Sequence, residues 1–184
     1  DSNICYVATK KGGDVDKAFA QAEHICRMHI ASPRQVALAI EPRGIVVRPE
    51  PTGDLTIWLS TQAPHRLRGD LATALGFPEQ KIRIIAPDVG GGFGSKGPLY
   101  REYVLACHLA LKLGRPIKWI ATRSEDFVTT IQGRDQAMTS ELALKKDGTM
   151  LGLKVRVVAN LGAYLYSITA GPPQRMMRMA PGSY

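Results

Sequence analysis

No apolar run approaches the ~18 residues that a membrane-spanning helix needs, so the sequence predicts no span. There is no initiator methionine, and the opening Asp1-Ser2-Asn3 carries no signal-peptide pattern. The missing methionine suggests an excised segment. Cysteine is scarce. Cys5, Cys26 and Cys107 lie far apart and form no C-x-x-C pair, which excludes a zinc ribbon and a disulfide framework and fits a reducing cytoplasm. Each reads as a small apolar filler. Internal repeats are missing. Net charge is +8, yet no basic run interleaves with aromatics. Basic residues scatter along the chain, often beside acids, as in Arg123–Asp126. That distribution describes a solvated surface and argues against nucleic acid as a partner.

What is present is ordinary globular material: 184 residues, 45% hydrophobic, enough for one sizeable domain or two small ones. Asp14 caps a short helix bearing Val15, Ala18, Phe19 and Ala22 on one face. Extended segments follow from His24 to Val47, interrupted at Ser32-Pro33 and Pro42-Arg43-Gly44. Leu55–Ser60 alternates as a strand. Pro64 suits the first turn of a helix whose stripe is Leu67, Leu71, Ala74 and Leu75, with Gly76 as its stop. Lys81–Ala86 is a short apolar strand. A second helix runs from about Leu99 to Leu113, ended by Gly114. Ile117–Ala121 is a strand, and Gln136–Lys145 with Leu151–Ala159 form a hairpin around Asp147-Gly148. The fold class is α+β, a mixed sheet with two main helices. Residues 1–166 form the body; 167–184, broken by Gly171-Pro172-Pro173 and Pro181-Gly182, reads as an irregular, poorly ordered tail lacking its packing partner.

The densest chemical signal is Ala86–Lys96, APDVGGGFGSK. Gly90, Gly91 and Gly92 permit positive φ and close approach of a ligand, Phe93 offers an apolar wall, and Gly94 repeats the approach. Lys96 and the start of the following helix can face a negative group. The order of residues matches neither a P-loop nor G-x-G-x-x-G. On composition alone, a flexible surface turn with Phe93 tucked into the core stands beside the ligand reading.

The longer string Ile82–Lys96, IRIIAPDVGGGFGSK, resembles the molybdenum-cofactor loop in the large subunit of molybdenum hydroxylases. This is the xanthine oxidase and aldehyde oxidase family, which includes aerobic carbon monoxide dehydrogenase. Gln35–Pro42 (QVALAIEP), Leu59–His65 (LSTQAPH), Gly114–Trp119 (GRPIKW), Arg123–Phe127 (RSEDF) and Leu161–Leu165 (LGAYL) resemble further family segments in the same order. Ordered motifs are far more specific than one loop.

The resemblance implies a section of the molybdenum-cofactor-binding domain. The cofactor is molybdenum–molybdopterin, as a dinucleotide, held by the complete subunit and absent from this section alone. It also implies oxidation of carbon monoxide or aldehydes, with electrons passing to iron–sulfur and flavin subunits or domains. Gln35 aligns with a glutamine that hydrogen-bonds an oxo ligand of molybdenum, and Gly91, Gly92, Phe93 and Gly94 with the backbone lying over the metal's ligands. No catalytic residue and no protein metal ligand is assigned. Glu41 reads as structural, and His65 and His108 as ordinary helix residues. Gly97 stands where purine-oxidising members carry glutamate, which disfavours a purine substrate. An arginine-bearing active-site loop and a general-base glutamate belong to later segments, so the chain alone is expected to be inactive. The other expectation is a non-catalytic cofactor carrier or subunit-docking domain.

Overall fold

A computed structural model describes residues 2–166 and 170–180. In chain order these form α1 (Val15–Ala20), β1 (His24–Val36), β2 (Gly44–Pro49), β3 (Leu55–Leu59), α2 (Pro64–Leu75), β4 (Ile82–Ile85), α3 (Arg101–Leu113), β5 (Ile117–Ile120), α4 (Arg123–Thr129), β6 (Gln132–Leu144), β7 (Met150–Ala159) and α5 (Gly171–Met179). The chain divides into two units. One comprises Asp1–Pro33, Arg134–Asn160 and Pro173–Tyr184, the other Arg34–Gly133 and Leu161–Pro172.

The first unit carries a three-stranded sheet in the order β1-β6-β7. β6 and β7 are antiparallel, with Gln136 opposite Ala159 and Leu142 opposite Leu153. The hairpin expected around Asp147-Gly148 is present, and Gly148 takes φ +87. Asp14 caps α1 by accepting the Lys17 N–H at 3.0 Å, and α1 packs on β7, where a Cβ on Gly152 would stand 3.0 Å from Ala18. The interruption expected at Ser32-Pro33 is absent: β1 runs through it. Pro33 lacks a donor, but among the described residues β1 is the outer strand of its sheet, where proline is tolerated.

The second unit is a four-stranded mixed sheet ordered β4-β3-β2-β5. Alternation in β2 turns Ile45 and Val47 inward, where they join Leu55, Ile57 and Leu59 of β3. The helices cover this face with Leu67 and Leu71 from α2 and with Tyr103, Ala106, Cys107 and Ala110 from α3. In α2 the stripe includes Ala72 and Leu75, whereas Ala74 is exposed. Gly76 (φ 60, ψ 33) and Gly114 (φ 63, ψ 27) end the two helices in the left-handed conformation.

Two elements went unpredicted. α4 opens with a capping box in which the Thr122 side chain accepts the Glu125 N–H and Glu125 accepts that of Thr122. α5 replaces the break expected at Gly171-Pro172-Pro173, because prolines in a helix's first turn give up no intrahelical hydrogen bond. The rest of the expected irregular tail, 167–169 and 181–184, lies outside the described residues.

Candidate functional site

Strand direction assembles the site. β3 and β4 are parallel, with Leu55 opposite Ile82 and Trp58 opposite Ile85, and α2 makes the crossover. Their C-terminal ends therefore emerge at the same end of the sheet. β2 is antiparallel to β3, so the segment entering β2 arrives there too. Three stretches meet: Ala39–Arg43, Ser60–Gln62, and the glycine-rich loop after β4.

Side chains tie the loop down at several points. Glu41 Oε2 accepts the Gly90 N–H at 2.7 Å, the Ser60 hydroxyl at 2.8 Å and Lys96 Nζ at 2.6 Å. Gln62 Oε1 accepts the Gly94 N–H at 2.9 Å. Thr61 donates its hydroxyl to the Lys96 carbonyl at 2.8 Å, and Ser95 donates to that of Gly92 at 2.8 Å. The Tyr100 phenol donates to the Ser95 carbonyl. Burial pushes that phenol up to about 12, so it stays a donor at neutral pH. Partial burial pushes the Glu41 carboxyl up, but hydrogen bonds from Lys96, Ser60 and Gly90 outweigh this and hold it below its ordinary value.

Two of the loop's glycines lie against the protein's own side chains. A Cβ on Gly90 would stand 2.6 Å from Glu41 Cβ, and one on Gly92 2.5 Å from Gln62 Oε1. Glycine is required at Gly90 by the root of the Glu41 side chain, whereas at Gly92 the near atom is the movable end of Gln62. Gly94 differs, with φ +87 and open space where its Cβ would be. Phe93 is 73% exposed and is itself left-handed at φ 49. It is therefore not tucked into the core.

Among the described residues, the N–H groups of Gly92 and Phe93 and the Gln62 Nε2 have no hydrogen-bond partner. They form a small set of free donors on a braced turn. Lys96 contributes no free charge, contrary to expectation: its side chain is 1% exposed and paired with Glu41. Gln35 lies exposed near the end of β1 and makes no hydrogen bond to the loop. Gln62 stands beside the glycines, its Oε1 accepting the Gly94 N–H. Its placement was legible in outline, because a strand–helix–strand crossover brings the two strand ends together. His65 and His108 are exposed helix residues. Among the described residues no group of three or more His, Cys, Asp or Glu can hold a metal ion, and no helix is long and apolar enough to cross a membrane.

Over residues 1–184 the sequence matches the family described as the molybdopterin cofactor-binding domain. It is 40% identical over 186 residues to the carbon monoxide dehydrogenase large chain of Hydrogenophaga pseudoflava, covering 97% of this chain and 23% of that relative. The reconstituted CO dehydrogenase from Oligotropha carboxidovorans superposes with a TM-score of 0.74 at 40% identity, covering 79% of this chain and 18% of that one. Quinoline 2-oxidoreductase from Pseudomonas putida 86 gives a TM-score of 0.78 at 34% identity, covering 84% and 20%. The chain spans about a fifth of the length of these relatives. A family match along the whole chain, together with a fold shared at this level of identity, establishes that it belongs to the molybdopterin cofactor-binding domain family.

Proposed function

We propose that this chain is a section of the large subunit of a molybdenum hydroxylase that oxidises carbon monoxide or an aldehyde, and that its glycine-rich loop forms one wall of the molybdopterin site. The observation carrying this reading is the set of free donors at Gly92, Phe93 and Gln62 on a turn whose Gly90, Gly91, Gly94, Ser95 and Lys96 N–H groups are taken up internally. A ligand rich in oxygen and sulfur acceptors fits such a set, and the open space at Gly94 lets its backbone approach closely. When bound, the molybdenum group supplies redox chemistry that protein side chains lack.

The roles proposed for this chain are positional. Gly91, Gly92, Phe93 and Gly94 contact the cofactor through backbone and ring. A glutamine amide completes the donor set. The family resemblance assigns it to Gln35, whereas contact with the loop favours Gln62, whose Oε1 is fixed by Gly94 and whose Nε2 is free. The rest of the large subunit closes the other walls. Ile40, 94% exposed beside the loop, suits such a covering surface. Iron–sulfur and flavin partners, the dinucleotide form of the cofactor and a cytoplasmic location complete the proposal. Free Cys5, Cys26 and Cys107 accord with a reducing compartment.

Parallel Gln62→Leu and Gln35→Leu substitutions in the complete subunit test the site. Molybdenum content and turnover should fall with Gln62→Leu and persist with Gln35→Leu; the reverse pattern returns the role to Gln35. Full activity in both variants would remove the glutamine from the proposal.

A further inference from the structure

We infer that Glu41 is a positioning residue that clips the two ends of the glycine-rich loop to the end of β3. The inference rests on the loop being the ligand-facing wall proposed above. One carboxylate oxygen takes three donors: the Gly90 N–H at the loop's start, Lys96 Nζ at its finish, and the Ser60 hydroxyl just beyond β3. The turn between those ends is thereby closed into a ring. Nothing else joins both ends through a side chain among the described residues. Gln62 and Thr61 each hold a single point.

The partners are unequal. The Lys96 side chain is 1% exposed and that of Glu41 38%, so among the described residues the ammonium depends on this carboxylate for its only ion pair, whereas the carboxylate keeps a wet side. The charge is used structurally, to hold backbone, and no substrate needs to meet it. A Cβ on Gly90 would stand 2.6 Å from Glu41 Cβ, so the clip also dictates glycine at its own anchor point.

The test is amide hydrogen exchange by NMR on the 184-residue chain. In Glu41→Gln, exchange at Gly90 should quicken roughly 10- to 100-fold, the loss of a charge-assisted bond, while amides of Leu67 and Leu71 in α2 stay protected. Lys96→Met, which spares the Gly90 and Ser60 bonds, should leave Gly90 protection within about threefold of wild type. Unchanged Gly90 exchange in Glu41→Gln would overturn the clip, whatever the loop binds. Loosening spread equally through α2 would overturn it too, as a general loss of stability. A loosened loop in a complete subunit that still takes up molybdopterin normally would uphold the clip and sink the cofactor reading of the loop.

Discussion

Arg43 and Asp126 form an ion pair with almost no water: Nε lies 2.9 Å from Oδ1, and the two side chains are 1% and 6% exposed. The Arg43 backbone N–H adds a bond to Oδ2 at 3.1 Å. The guanidinium also stacks 3.9 Å from the Tyr100 ring centroid, the same tyrosine that holds the Ser95 carbonyl. Burial works against the guanidinium's charge, but the Asp126 hydrogen bond prevails and raises its affinity for the proton. The pair thus joins the start of β2 to α4 beneath the loop.

Asp126→Ala takes away that cation's closest carboxylate and leaves it the longer contact to Glu102 Oε1 at 3.4 Å and the bond to Thr129. Removing one partner of a buried pair costs roughly 3–5 kcal/mol. Urea unfolding of the 184-residue chain should register a loss of that size. A loss under about 1 kcal/mol would mean that the pair behaves like a surface bridge.

Acidification should release the loop before the fold. Glu41 titrates below its ordinary 4.5 in the folded chain, so its contribution is complete above 4.5 and is lost as pH falls through the lowered folded value. Gly90 amide protection, corrected for intrinsic exchange, should drop in that acid window. In Glu41→Gln the drop should vanish, and its persistence there would assign the effect to another group.

Two glycines of the same residue type should respond oppositely to alanine. At Gly90 the new Cβ meets the root of the Glu41 side chain, which cannot swing away; overpacking of that kind costs about 1–3 kcal/mol. Gly12 has no neighbour within 4 Å and no positive φ, so Gly12→Ala should be neutral or stabilise by up to about 1 kcal/mol. Thermal melts of the two variants distinguish the cases.

Phe93→Ala separates binding from stability. With its ring exposed, truncation should change unfolding free energy by no more than about 0.5 kcal/mol. Uptake of molybdopterin by the complete subunit should nonetheless fall. A destabilised chain with normal uptake would return Phe93 to a packing role.

The sequence carried the helices well, because their ends are chemically marked. Pro64, Gly76 and Gly114 stand where the structure puts helix boundaries. The T-x-x-E of Thr122–Glu125 marks the start of α4 in the same chemical way. Pro33 does not break β1, because among the described residues that strand is the outer one of its sheet, where a missing donor is tolerated. The site was legible as a loop and opaque as an assembly. Periodicity reports which face of a strand is apolar, but not that β3 and β4 run parallel. Without that pairing, Gln62 looks no different from Gln35, and Lys96 looks like a surface charge. Its burial follows from Glu41, which is remote in sequence and enters on the other flank of β3.

The parallel pairing of β3 with β4 has a kinetic consequence. Glu41, Gln62, Gly90–Lys96 and Tyr100 become neighbours only after α2 has crossed over and docked, so the chain entropy of closing that crossover must be met first. An isolated peptide spanning Ile82–Lys96 would carry every residue of the loop and its local bonds to the Gly92 carbonyl, but none of the anchors that brace them. In the folding chain the loop should be among the last elements to gain protection, after the sheet beneath it is complete.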